Sequence, residues 1–72
     1  MAMNELIGKR IAQLRKRNDI SQQKFAHEAD IERSYLTHVE KGRKNISVNT
    51  LDKIIKALGV SVNEFFNHKD FK

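Results

Sequence analysis

The 72-residue chain contains no cysteine, no proline and no tryptophan. Without cysteine there is no disulfide framework, no iron–sulfur site and no cysteine zinc site. Long apolar runs are also missing. Beyond Met1-Ala2-Met3 the longest are pairs such as Leu6-Ile7, Ile54-Ile55 and Phe65-Phe66, far from the roughly 18 residues of a membrane-spanning helix. The N-terminal Met-Ala-Met-Asn-Glu has neither a basic nor an apolar leader region. A soluble, cytoplasmic protein with no membrane partner is expected. A chain this short makes one domain at most, and one of its size buries only about 60 % of the surface its unfolded form exposes. Most of the 39 % apolar residues must enter a single small core, held by packing alone. No small-molecule pocket is expected in so small a body.

Catalytic patterns are lacking as well. His27-Glu28 begins like a zinc-protease helix motif, but position 31 is Ile where the second His belongs. The histidines at 27, 38 and 68 have no metal-ligand spacing, and there is no Gly-rich phosphate loop. No enzyme, no metal site and no cofactor is expected.

What is present is positive charge and helical periodicity. Fourteen Lys and Arg against nine Asp and Glu leave a net +5, which suits a polyanionic partner. Ile7, Ile11 and Leu14 mark a first helix from about Asn4, taken as its N-cap, to Arg17. Asn18-Asp19 breaks it. Ser21 caps a second helix over Gln22–Ala29, with Phe25, Ala26 and Ala29 inward. A short turn at Asp30-Ile31 leads to a third over about Glu32–Lys41, with Leu36 and Val39 inward and Gly42 as its stop. Ser47 caps a fourth over Val48–Leu58, where Leu51, Ile54, Ile55 and Leu58 form a stripe closed by Gly59. Ser61-Val62-Asn63-Glu64 has capping-box spacing and opens a fifth helix at Val62. No segment alternates with a period of two. The expectation is an all-α domain of five helices over 4–67, with a frayed tail at 68–72.

Two short helices joined by a tight turn, Ser21 to Gly42, make a helix-turn-helix candidate. Arg33, Ser34, Thr37, His38 and Lys41 lie opposite the inward face of the third helix, or near it. That pattern is also what any solvated helix face shows. The flanks favour DNA. Gln22 and Gln23 stand at a helix N-terminus, where free N–H groups attract phosphate. Lys41, Arg43 and Lys44 place three cations in four positions beside the third helix.

The segments Ser21-Gln22-Gln23-Lys24-Phe25-Ala26, Arg33-Ser34-Tyr35-Leu36-Thr37-His38-Val39-Glu40-Lys41-Gly42 and Lys56-Ala57-Leu58-Gly59-Val60-Ser61 together resemble the Cro/cI-type repressor helix-turn-helix family. The resemblance spans about residues 6 to 66. Within that family the chain is most similar to controller proteins of bacterial restriction–modification systems. The Arg-Ser-Tyr opening of the reading helix and Ile46, where other members place Pro, carry that likeness. Stand-alone phage and mobile-element repressors share both features.

The resemblance implies a bacterial or phage regulator that binds double-stranded operator DNA in the major groove as a homodimer, acting on its own gene. It implies Arg33 as first base reader, with Ser34, Thr37 and His38 as further readers. Gln22, Gln23, Tyr35, Lys41, Arg43, Lys44 and Asn45 would hold phosphates, Gln22 also buttressing Arg33. Tyr35 has two placements open, its ring on the second helix or its hydroxyl on a phosphate. The resemblance also pairs Arg15 with Glu40. The remaining basic residues from Lys9 to Arg17 are read as solvated. Two departures stand out: Asp30 at the turn, where Gly is usual, and Glu32 at the N-cap, where Ser, Thr or Asp is usual. Adjacent Phe65 and Phe66 cannot both enter the core, so a dimer interface is assigned to this pair. The alternative is an antitoxin-like or other protein-binding module built on the same domain.

Overall fold

The computed structural model describes residues 2–72, which form five α-helices and no strand. They are α1 (Met3–Arg17), α2 (Gln22–Ala29), α3 (Arg33–Glu40), α4 (Val48–Leu58) and α5 (Val62–Phe66). A 3-10 turn at Lys69–Phe71 follows.

Serine hydroxyls start three of the helices. Ser21, Ser47 and Ser61 each accept from the backbone N–H three residues on, at Lys24, Thr50 and Glu64. Glu32 caps α3 without a side-chain hydrogen bond. The turns need left-handed backbone, and polar residues supply it: Asp19 at φ 57° and Asp30 at φ 58°. Asp tolerates this region better than most residues do. The turn of the helix-turn-helix is therefore kept without glycine.

The core joins Ile7, Ile11 and Leu14 of α1 to Phe25, Ala26 and Ala29 of α2 and to Leu36 and Val39 of α3. Ile54, Ile55 and Leu58 of α4 and Phe65 of α5 complete it. α1 packs across α3, while α4 packs on α2 and α1. Gly8 makes the α1–α3 approach possible, because a Cβ there would run into the Val39 carbonyl oxygen.

Several expectations are corrected. Asn4 is not the N-cap of α1; Ala2 is, and Glu5 Oε1 accepts from the Ala2 N–H at 3.1 Å. The α3 helix is one residue shorter at each end than 32–41; Glu32 is its N-cap, as expected, and Lys41 its C-cap. The tail at 68–72 carries the 3-10 turn. His68 Nδ1 accepts from the Asp70 N–H at 3.2 Å and starts the 3-10 turn. The turn brings the Phe71 ring to 5.0 Å from that of Phe66, edge to face. An aromatic residue beside the chain end thus found a partner that local pattern did not reveal. Of the basic residues from Lys9 to Arg17 read as solvated, Arg10 is buried. Leu51, counted with the inward stripe of α4, is only half-buried.

Candidate nucleic-acid interface

The outward side of α3 begins at its first residue. Arg33 and Ser34 are exposed, and Tyr35, Thr37 and His38 are half-buried. Tyr35 is packed against the core cluster. Lys41, Arg43, Lys44 and Asn45 lie immediately beyond the helix; Lys41, Arg43, Lys44 and Asn45 are all exposed. The first residues of α2, Gln22 and Gln23, lie at a helix start whose N–H groups have no intrahelical partners.

This surface has a rigid support beneath it. Arg15 Nε donates to Glu40 Oε2 at 2.7 Å and Nη2 to Glu40 Oε1 at 3.0 Å. Its remaining nitrogen, Nη1, donates to the Ile20 carbonyl at 2.8 Å. One guanidinium therefore ties α1, the α1–α2 turn and the end of α3 together, with both charged side chains more than 90 % buried. The hydrogen bonds that Arg15 donates to Glu40 raise the Arg15 pKa above its ordinary value; burial opposes the shift and the carboxylate charge adds to it.

Gln22 is drawn into the same network. Its Nε2 donates to Glu40 Oε1 at 2.9 Å, and its Oε1 accepts from Thr37 Oγ1 at 3.0 Å. The amide expected to meet a phosphate and buttress Arg33 bridges the two helices of the motif, with one Nε2 proton left beyond these two bonds. The Thr37 hydroxyl is also 3.0 Å from the Arg33 carbonyl oxygen, one turn back. The expected reader Thr37 is therefore tied to the scaffold through its hydroxyl. Ser34 has no such tie among the described residues.

The basic loop is anchored at its base. Asn4 Nδ2 donates to the Gly42 carbonyl at 2.8 Å, and the Arg43 N–H donates to the His38 carbonyl at 2.9 Å. Gly42 has φ 75°, and a Cβ there would lie 2.7 Å from Glu5 Cγ. The first turn of α1 thus presses on the start of the loop. Asn4 escaped the sequence reading because its partner is 38 residues away. Arg10 left a usable signal: it is three places after Ile7 and four before Leu14, on the edge of the apolar stripe.

On another side, α4 and α5 leave an apolar groove lined by Val48, Leu51, Asp52, Ile55, Val62 and Phe66. Val48 is 82 % exposed and Val62 57 %. The Phe65–Phe66 assignment divides here. Phe65 is fully buried and belongs to the core, which excludes it from any interface; Phe66 is half-buried and lines the groove. Their rings meet edge to face at 4.9 Å.

A five-helix domain with α2 and α3 joined by a left-handed turn, α3 facing outward and cations at its end, has the architecture of a helix-turn-helix domain. A family model described as helix-turn-helix matches residues 11–65, and the chain belongs to that family. Control protein C.MunI of a Mycoplasma species is 36 % identical over 69 residues, 90 % of this chain and 93 % of that protein. Control protein C.BamHI of Bacillus amyloliquefaciens is 41 % identical over 56 residues, 76 % of this chain and 69 % of that protein. Among solved structures, the restriction–modification controller protein C.AhdI of Aeromonas hydrophila superimposes with a TM-score of 0.85 at 32 % identity, over 92 % of this chain and all of that one. Among the described residues, no helix is long and apolar enough to cross a membrane.

Proposed function

We propose that the chain is a transcription regulator of the controller type, which binds a palindromic operator as a dimer and controls its own gene. The observation that carries this reading is the outward face of α3, seated by the buried Arg15–Glu40 pair and flanked by Lys41, Arg43 and Lys44. A reading helix must hold its position while its side chains meet bases, and a bidentate pair across α1 and α3 supports that.

In this reading Arg33 forks to a guanine, with Ser34, Thr37 and His38 against neighbouring base edges. Gln23, Lys41, Arg43, Lys44 and Asn45 contact phosphates, and Tyr35 reaches one with its hydroxyl while its ring stays on the core. Gln22 contributes its backbone N–H at the start of α2, its side chain being engaged inside. The α4–α5 groove, with Phe66 at one edge, joins two copies. Two-fold symmetry then sets the reading helices about 34 Å apart on one side of the duplex. The protein acts in the cytoplasm and catalyses no reaction. Because the dimer forms by mass action, its own concentration controls occupancy.

The test is selection of bound sequences from random DNA, followed by footprinting upstream of the protein's own gene. Two equal inverted half-sites, found again in that upstream region, are expected. An absence of any enriched sequence overturns the reading.

A further inference from the structure

The network under α3 has a direction. Glu40, ion-paired to Arg15, can only accept hydrogen bonds. Gln22 has one donating and one accepting end, and Glu40 Oε1 at 2.9 Å takes the donating end, Nε2. The accepting end, Oε1, is therefore the end turned to Thr37 at 3.0 Å. The second neighbour of that hydroxyl, the Arg33 carbonyl at 3.0 Å, is also an acceptor. A threonine hydroxyl has a single proton. Both groups it meets inside the protein demand that proton, so it is directed inward. What Thr37 can offer a partner is lone-pair capacity and its methyl group.

An unconstrained Ser or Thr matches any base, because its hydroxyl donates or accepts as required. Ser34, exposed and without an internal partner among the described residues, keeps that freedom. We propose that Thr37 is a polarised reader, which takes a base offering a donor or a methyl group and refuses guanine. Adenine brings its N6 amino group, cytosine its N4 amino group and thymine its methyl. Guanine presents N7 and O6, both acceptors, to a hydroxyl with no proton to give. The charge pair beneath α3 thus limits the bases that can be read at one position. This inference rests on the operator-binding reading above and adds to it the class of base at one position.

Selection from random DNA with the wild-type chain and with Thr37→Val tests it. Valine keeps the branched shape and the methyl group but removes the hydroxyl with its lone pairs. The expected result is one position per half-site at which guanine is depleted about fivefold or more by the wild type. At that position Thr37→Val loses the preference for adenine and cytosine and keeps thymine, while other positions are unchanged. If the wild type accepts guanine where Thr37→Val alters the preference, the polarity is wrong and operator binding still stands. If the variant alters no position, Thr37 meets no base and the inference falls, again with operator binding intact. If the wild type enriches no sequence at all, the operator reading itself fails and takes this inference with it.

Discussion

Arg10 Nε donates to the Phe65 carbonyl oxygen at 2.7 Å, joining the middle of α1 to the end of α5 across 55 positions of chain. Nη2 donates to the Glu64 carbonyl at 2.8 Å, and Nη1 to Gln13 Oε1 at 2.7 Å. Arg10 is only 7 % exposed and has no carboxylate partner among the described residues. Its charge is balanced by the negative end of a short helix. That helix carries Phe65 into the core and Phe66 to the apolar groove, so one side chain seats both.

Arg10→Met keeps the stem and removes all three hydrogen bonds. The two carbonyls of α5 are then without a charged donor. A destabilisation of about 2 kcal/mol is expected, which lowers the melting temperature of so small a domain by about 8–16 °C. Thermal unfolding followed by circular dichroism measures it. An unchanged melting temperature would show that α5 is held by its phenylalanines alone.

Glu40→Ala leaves the Arg15 charge buried and uncompensated, at a cost of about 3–5 kcal/mol. That is a large share of the roughly 4–11 kcal/mol available to a domain of this length. Denaturant titration should show the midpoint falling with an unchanged slope. Because the folded-state pKa of Arg15 is raised, its contribution is complete below its unfolded value and is lost only as pH rises through the higher folded value. Arg15 therefore adds no pH dependence to stability between about pH 6 and 9. A variation in that range that disappears in Arg15→Met would contradict this.

Arg33→Ala should weaken specific binding by about 1–3 kcal/mol and relax one base position per half-site. Sequence selection with the variant reads both effects. A uniform weakening over all sequences would move Arg33 to a phosphate.

Lys44→Ala removes a cation from the exposed loop. Binding to specific and non-specific DNA should weaken alike. The slope of log affinity against log salt should become shallower by about 0.9 for each phosphate that Lys44 neutralises. An effect confined to one operator sequence would instead make Lys44 a base reader.

Val62→Glu places a charge in the apolar groove. Position 62 is the first residue of α5, where an acid suits the helix N-terminus, so folding should survive. Removing one buried apolar side chain from each side of an interface should weaken the dimer by at least about tenfold. Sedimentation equilibrium decides; an unaltered dimer would put the two-fold contact elsewhere.

Local rules made much of this protein legible in its sequence. The apolar stripes of α1, α2 and α3 follow from a 3.6-residue period, and three serines mark helix starts by a hydrogen bond spanning only three residues. The left-handed residues at Asp19, Asp30, Gly42 and Gly59 fall where break signals stood. The outward residues of α3 could be assigned because the inward ones were clear. The Arg15–Glu40 partnership came from family resemblance, since nothing in spacing joins residues 25 apart.

The tertiary structure decided which polar groups were spoken for. Asn4 looked like a cap and reached Gly42; Arg10 looked like surface and capped α5; Gln22, legible in sequence only as a residue at a helix start, joined Glu40 and Thr37. Phe65 and Phe66, equivalent in sequence, were separated into core and groove. The physical reason is the same in each case. A helix period fixes which face a residue occupies, but a hydrogen bond needs its partner within about 3 Å, and those partners come from elements brought together only by packing the core.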